Sequence, residues 1–154
     1  MSKPSLYIIS AKNCPACNRY KNEHHEGVIK LFNSKNYDIK IYDVASTGDD
    51  LSKYNISENI RKYIRWFPFF LVVKNNEILD VFNGEKNSSG YNHKTTGSKH
   101  PNAENLLEFY EKTISDKNIP VNTLKSPLVV PNSGRPTGYV PTTACSLKFK
   151  GRLI

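Results

Sequence analysis

Two cysteines three residues apart, Cys14-Pro15-Ala16-Cys17, follow closely on the apolar run Leu6-Tyr7-Ile8-Ile9. That order restricts the local chain to few solutions. A short continuous apolar run predicts a strand buried on both faces. Ser10 to Asn13 then turns the chain, and from Cys17 the less polar positions recur at Tyr20, His24, Val28, Leu31 and Phe32, a helical stripe with an interruption expected at Gly27. Ile39 to Val44 alternates as a second strand, parallel to the first if the helix is a crossover. The cysteine pair is thereby placed where a strand passes into a helix.

Leu51, Tyr54, Ile60, Tyr63 and Ile64 mark a second helix, broken near Asn55 and stopped by Phe67-Pro68, because proline lacks the amide and disfavours helix at the preceding residue. Phe69 to Val73 predicts a third strand. Asn75-Asn76 turns it into an antiparallel fourth, Ile78 to Phe82, closed by Gly84. Residues 85–100 read as a long polar connection, and a last helix starts at Asn102, a good N-cap, with Ala103, Leu106, Leu107, Tyr110 and Ile114 on one face. The expected order is β-α-β-α-β-β-α, an α/β fold with a mixed four-stranded sheet flanked by helices.

Charge divides the chain. The net charge is +8, yet residues 117–154 contain no acidic side chain and carry +6 through Lys117, Lys125, Arg135, Lys148, Lys150 and Arg152. Five of the nine prolines also lie there. A nearly neutral domain over 1–116 is expected, followed by a basic, proline-rich, extended arm over 117–154. Only Tyr139 and Phe149 interleave with the arm's charges, which disfavours nucleic acid as its partner. Ser146 to Lys150 alternates with period two and reads as a strand that adds to a neighbouring protein.

Some chemistries are set aside. The longest apolar run, Trp66 to Val73, is far shorter than the roughly 20 residues of a membrane-spanning helix, and no apolar stretch stands near Met1, so neither a membrane span nor a leader is expected. Zinc would need a second ligand pair. His24 stands seven residues past Cys17, about 10 Å along a helix, too far to share an ion with it; it reads as a packing residue, with His25, His93 and His100 solvated. Trp66, Phe67, Phe69 and Phe70 read as core. Cys145 reads as a free spectator thiol, with an interchain or regulatory partner for Cys14 as the alternative.

The cysteine motif after an apolar strand, joined to Phe67-Pro68-Phe69-Phe70-Leu71-Val72-Val73 and the hairpin ending at Gly84, resembles the thioredoxin and glutaredoxin superfamily over roughly residues 5–116. Asn13 and Pro15 flank the first cysteine more as in glutaredoxins than thioredoxins, whereas Ala11 stands where glutaredoxins carry a lysine for glutathione. The resemblance implies a thiol-disulfide oxidoreductase acting on protein disulfides, without a metal or cofactor. Cys14 would be the exposed nucleophile, its thiolate favoured by the helix terminus, and Cys17 the resolving thiol one turn on. Pro68 would be a cis-proline facing the sulfurs. Phe67 would offer a backbone edge to an extended peptide, in a substrate groove shared with Asn13, Pro15 and Gly84. With seventeen asparagines suggesting an AT-rich genome, the chain also looks like redox-fold proteins of large double-stranded DNA viruses. That likeness implies an alternative: a structural component such as a minor capsid or scaffold protein, whose arm binds neighbouring subunits. Localisation would be cytoplasmic or in the virion.

Overall fold

A computed structural model describes residues 3–118 and 144–146. Its centre is a mixed sheet of four strands: β1 (Ser5–Ala11), β2 (Asp38–Val44), β4 (Phe69–Lys74) and β5 (Glu77–Val81), in the order β2-β1-β4-β5. β1 runs parallel to β2 with Ser5 opposite Asp38 and Ala11 opposite Val44, and antiparallel to β4 with Ile9 opposite Phe69. Buried on both faces, β1 divides its side chains between two cores. Leu6 and Ile8 meet Val28, Phe32, Phe70 and Tyr110, while Tyr7, Ile9 and Ala11 meet Cys17, Ile60, Trp66 and Phe69.

The crossover from β1 to β2 is one helical run in three parts: α1 (Pro15–Tyr20), a π-helical turn over Lys21–His25, and α2 (Glu26–Ser34). The interruption therefore falls before Gly27 rather than at it. A π turn adds about one residue to the helical circuit. With it, Tyr20, Val28 and Phe32 all reach the same core, whereas His24 between them stays half-buried. His25 is also only half exposed, its Nδ1 3.0 Å from the Tyr20 hydroxyl.

The expected break near Asn55 separates a 3-10 turn at Leu51–Lys53 from α3 (Glu58–Arg61), which Ser57 caps by accepting from the Asn59 amide. Pro68 does not stop the second helix: α3 ends at Arg61, so Tyr63 and Ile64 lie beyond it. On the N-terminal side of Pro68 lies an additional strand, β3 (Trp66–Phe67), and the Phe67–Pro68 peptide is cis. The Asn75-Asn76 turn into β5 places both asparagines at positive φ, 54° and 64°, as a type I′ hairpin turn requires.

Residues 85–100 are not simply a connection. They contain most of a second hairpin, β6 (Gly84–Asn87) with β7 (Gly90–His93), in which Tyr91 and His93 point inward. His93 is buried rather than solvated, its ring 4.9 Å from that of Trp66; His100 is exposed. The last helix, α4 (Ala103–Asn118), begins where Asn102 Oδ1 accepts from the Asn105 amide. Its Leu106 and Tyr110 close the core against Phe32, and the Tyr110 hydroxyl donates to the Pro4 carbonyl.

Lys117 and Asn118, expected to begin the extended arm, continue α4 instead; further on, β8 (Cys145–Ser146) pairs antiparallel with β3, Phe67 standing opposite Cys145 and Trp66 opposite Ser146. The rest of the arm, residues 119–143 and 147–154, including most of the strand expected over Ser146 to Lys150, lies outside the described residues. Among the described residues no helix is long and apolar enough to cross a membrane.

Candidate functional site

The β1–α1 junction fixes the cysteines. Cys14 is the N-cap of α1 with an extended backbone, φ −99° and ψ 117°, and Pro15 occupies the first helical position, where its missing amide leaves no bond unmade. The amide of Cys17 donates to Cys14 Sγ at 3.4 Å. One turn along, Cys17 Sγ accepts from the Ala11 amide at 3.3 Å. Its side chain is therefore held against the end of β1.

Cys145 is not a free thiol: it forms a disulfide with Cys14 across a separation of 131 residues, with Cα atoms 6.1 Å apart. Cys14 is correspondingly not an exposed nucleophile. It is completely buried, and its sulfur rests 3.8 Å from the Phe67 carbonyl oxygen. With no proton on a disulfide sulfur this is packing, not a hydrogen bond. Cys17 is the free thiol, equally buried. Burial pushes it up to about 11; the Ala11 amide and Lys21 act in the opposite sense, and Asp43 adds to the rise. Lys21 and Asp43 form an ion pair over this end of the sheet. Burial raises the Asp43 carboxyl, but the hydrogen bonds from Lys21 and Ser10 outweigh it and hold the group below its usual range.

The other expected site residues separate into two groups. Phe67 reaches the cysteines, since β3 places its carbonyl against Cys14 and its ladder against Cys145, while Pro68, cis after Phe67, lines a cleft with Trp66, His93 and Ala144. The Phe67 ring itself is buried in the core and does not stand in a groove. Asn13 is exposed, but its Oδ1 accepts from the Thr47 amide at 3.0 Å, tying the turn before α1 to the loop after β2. Pro15 is exposed at the helix start. Gly84 opens β6 and packs on Val81, where a Cβ would lie 2.8 Å from Val81 Cγ1; close backbone approach explains the glycine.

Two residues escape a reading of the sequence alone. His93 backs Trp66; burial lowers its pKa and favours the neutral ring, while its bond with the Lys94 carbonyl acts in the opposite sense. The alternation of Tyr91, Asn92 and His93 is the local signal for its inward position. Ala144 borders a cleft of about 250 Å³ together with Trp66, Pro68, Phe82 and His93. No local signal marks it. Among the described residues no group of three or more His, Cys, Asp or Glu side chains is placed to hold a metal ion.

No family model matches the chain, and no curated protein matches it in sequence. Among solved structures, one described as a malarial protein is similar over 73% of this chain and 98% of its own, at 18% identity and a TM-score of 0.43. So slight a likeness carries no argument about function.

Proposed function

We propose that the chain has a thioredoxin-like fold and is a thiol-disulfide oxidoreductase acting on protein disulfides through Cys14 and Cys17. The observation that carries this reading is the joint placement of the pair: Cys14 caps the helical run after β1, with Cys17 one turn on and the Phe67 carbonyl against the Cys14 sulfur. In the reduced protein Cys14 attacks a substrate disulfide, giving a mixed disulfide and one substrate thiolate. Cys17 then attacks Cys14 Sγ, so the chain's two thiols become a disulfide as the substrate's disulfide becomes two thiols. An external dithiol resets the pair, becoming a disulfide as Cys14 and Cys17 return to thiols. Reduction of insulin by the purified chain with a dithiol donor tests this: turnover lost in Cys14→Ser, and substrate trapped on Cys14 in Cys17→Ser, are expected. Absence of turnover in the fully reduced chain would overturn it.

The Cys14–Cys145 disulfide favours a second reading, a structural component whose cysteines fasten the arm to the body. On that reading the protein is a minor capsid or scaffold subunit, in the virion rather than the cytoplasm, and residues 117–154 bind neighbouring proteins rather than nucleic acid. It predicts that a Cys14→Ser, Cys145→Ser double variant loses stability alone and still assembles.

A further inference from the structure

The described arm segment lies in an extended conformation along β3, with Cys145 opposite Phe67 and bonded to Cys14. That is the arrangement of a mixed disulfide between Cys14 and an incoming strand, formed within one chain. Beneath it stands a thiol with no other covalent role. The Cys17 amide touches Cys14 Sγ, so Cys17 is placed against the Cys14 end of the bond. A permanent staple gains nothing from such a neighbour, because a thiol beside a disulfide is a route to its rupture. Among the described residues, the ladder that holds the segment is two residues long.

We propose that Cys145 is a third exchange-active sulfur, a tethered substrate that holds Cys14 closed until Cys17 displaces it. The Cys17 thiol gives up its proton as its sulfur attacks Cys14 Sγ. The Cys14–Cys17 bond forms as the Cys14–Cys145 bond breaks, and the released electron pair leaves on Cys145, which takes up a proton. One disulfide and one thiol stand on each side, so neither oxidant nor reductant is consumed. Release of residues 144–146 uncovers the backbone of Trp66 and Phe67, and a cysteine-bearing extended protein segment then competes with the chain's own for that edge. Return of Cys145 onto Cys14 closes it again. The inference rests on the exchange reading of Cys14 and Cys17, but internal exchange and turnover of an external substrate are separately measurable.

The test uses the oxidised full-length chain, with one disulfide and one thiol, in native buffer without added thiol. Aliquots are alkylated with a small iodoacetamide and the bonds mapped by mass spectrometry. Alkylated Cys145 should accumulate together with Cys14–Cys17 disulfide in the same molecules, at a rate independent of protein concentration. In Cys17→Ser the labelling of Cys145 should fall at least tenfold. Equal labelling in the two proteins overturns the proposal. Should Cys17→Ser not fold, Cys145→Ser supplies the second measurement: mild oxidation should join Cys14 to Cys17, and a Cys14 and Cys17 that both remain alkylatable overturn the proposal. Insulin reduction on the same preparations separates the two readings. Exchange without insulin turnover supports the internal relay and removes the oxidoreductase; turnover with Cys145 never labelled does the reverse.

Discussion

Phe67 stands directly opposite Cys145 in the two-residue ladder between β3 and β8, and the Phe67 carbonyl lies 3.8 Å from the sulfur to which Cys145 is bonded. A single backbone position thus both pairs with the arm and packs on the cysteine that captures it. The covalent bond and the ladder reinforce one another. Each shortens the search that the other needs, because a tethered segment has a high effective concentration at its site.

The first expectation concerns stability. A bond between residues 131 apart encloses nearly the whole described fold and restricts the unfolded chain strongly. Cys145→Ser should cost about 2–4 kcal/mol in denaturant unfolding, and reductant should bring the unmodified chain to a similar midpoint. An unchanged midpoint for Cys145→Ser would show that the bond contributes nothing to the folded state.

Cys17 gives a pH dependence with a definite sign. Its thiol is pushed up to about 11 by burial, against the Ala11 amide from β1 and Lys21 from the π turn, with Asp43 of β2 adding to the rise. Its alkylation in the folded chain should therefore increase about tenfold per pH unit from 7 to 10. Linkage follows from the same shift. Between about 9 and 11 the unfolded thiol loses its proton while the folded one retains it, so stability falls as pH rises, by roughly 1.4 kcal/mol per unit in that window. Cys17→Ala should flatten this slope; an identical slope in both proteins would place the alkaline loss elsewhere.

Much of the architecture is legible because its signals are local. The run Leu6 to Ile9, the alternation in β2, the Asn75-Asn76 turn and the Asn102 cap each lie within a few residues of the structure they specify. The missed parts depend on distant partners. Trp66 and Phe67 become a strand only because Cys145 and Ser146 pair with them, and nothing near Pro68 announces that. The β6–β7 hairpin is hidden by composition: one strand is mostly exposed, and only Tyr91 and His93 face inward among glycines, serines and asparagines. For the site, the sequence places Cys14 with Cys17 and points to Phe67 beside them, but it reads Cys145 first as a free thiol and offers Cys14 as its partner only as the alternative. A pairing over so long a loop leaves no mark in spacing.

Ala144 provides a test of how the arm is held. It borders a cleft of about 250 Å³ with Trp66, Pro68 and His93, and its methyl leaves most of that volume unfilled. Ala144→Leu should fill part of it and favour the docked arm by about 1 kcal/mol, since each buried methylene contributes about 0.8 kcal/mol. The measurable result is a roughly fivefold slower appearance of alkylated Cys145. Faster appearance would mean that the larger side chain clashes and the cleft does not receive position 144.

Gly84 tests a close approach rather than chemistry. A Cβ there would stand 2.8 Å from Val81 Cγ1, closer than carbon atoms tolerate, so β6 or Val81 would have to shift. Gly84→Ala should destabilise the chain by about 1–3 kcal/mol, as overpacking does. Exchange at the cysteines should survive in whatever fraction remains folded. Loss of exchange with undiminished stability would return Gly84 to the substrate groove.

Removing the arm separates the body from everything that Cys145 does. Among the described residues both cores are built from residues up to α4, with Ala144 and Cys145 of the arm packed only at the margin of one, and Leu106, Tyr110 and Thr113 are already buried on that helix. A chain ending at Asn118 should therefore retain native circular dichroism, with a lower unfolding midpoint that reflects the missing bond to Cys145. Its Cys14 should alkylate faster than in the oxidised full-length chain, where the bond blocks it, and faster than Cys17, which remains against the Ala11 amide in the core. Mild oxidation should then join Cys14 to Cys17, because the competing sulfur is gone. With the Trp66 and Phe67 backbone uncovered, the thiol of a synthetic peptide matching residues 141–149 should attack the Cys14–Cys17 bond of the oxidised truncated chain, giving a mixed disulfide on Cys14 and a free Cys17, which releases the peptide slowly by attacking back. The same peptide carrying serine at the position of Cys145 should not be captured. Truncation that unfolds the protein would show that the body depends on its arm for more than a lock.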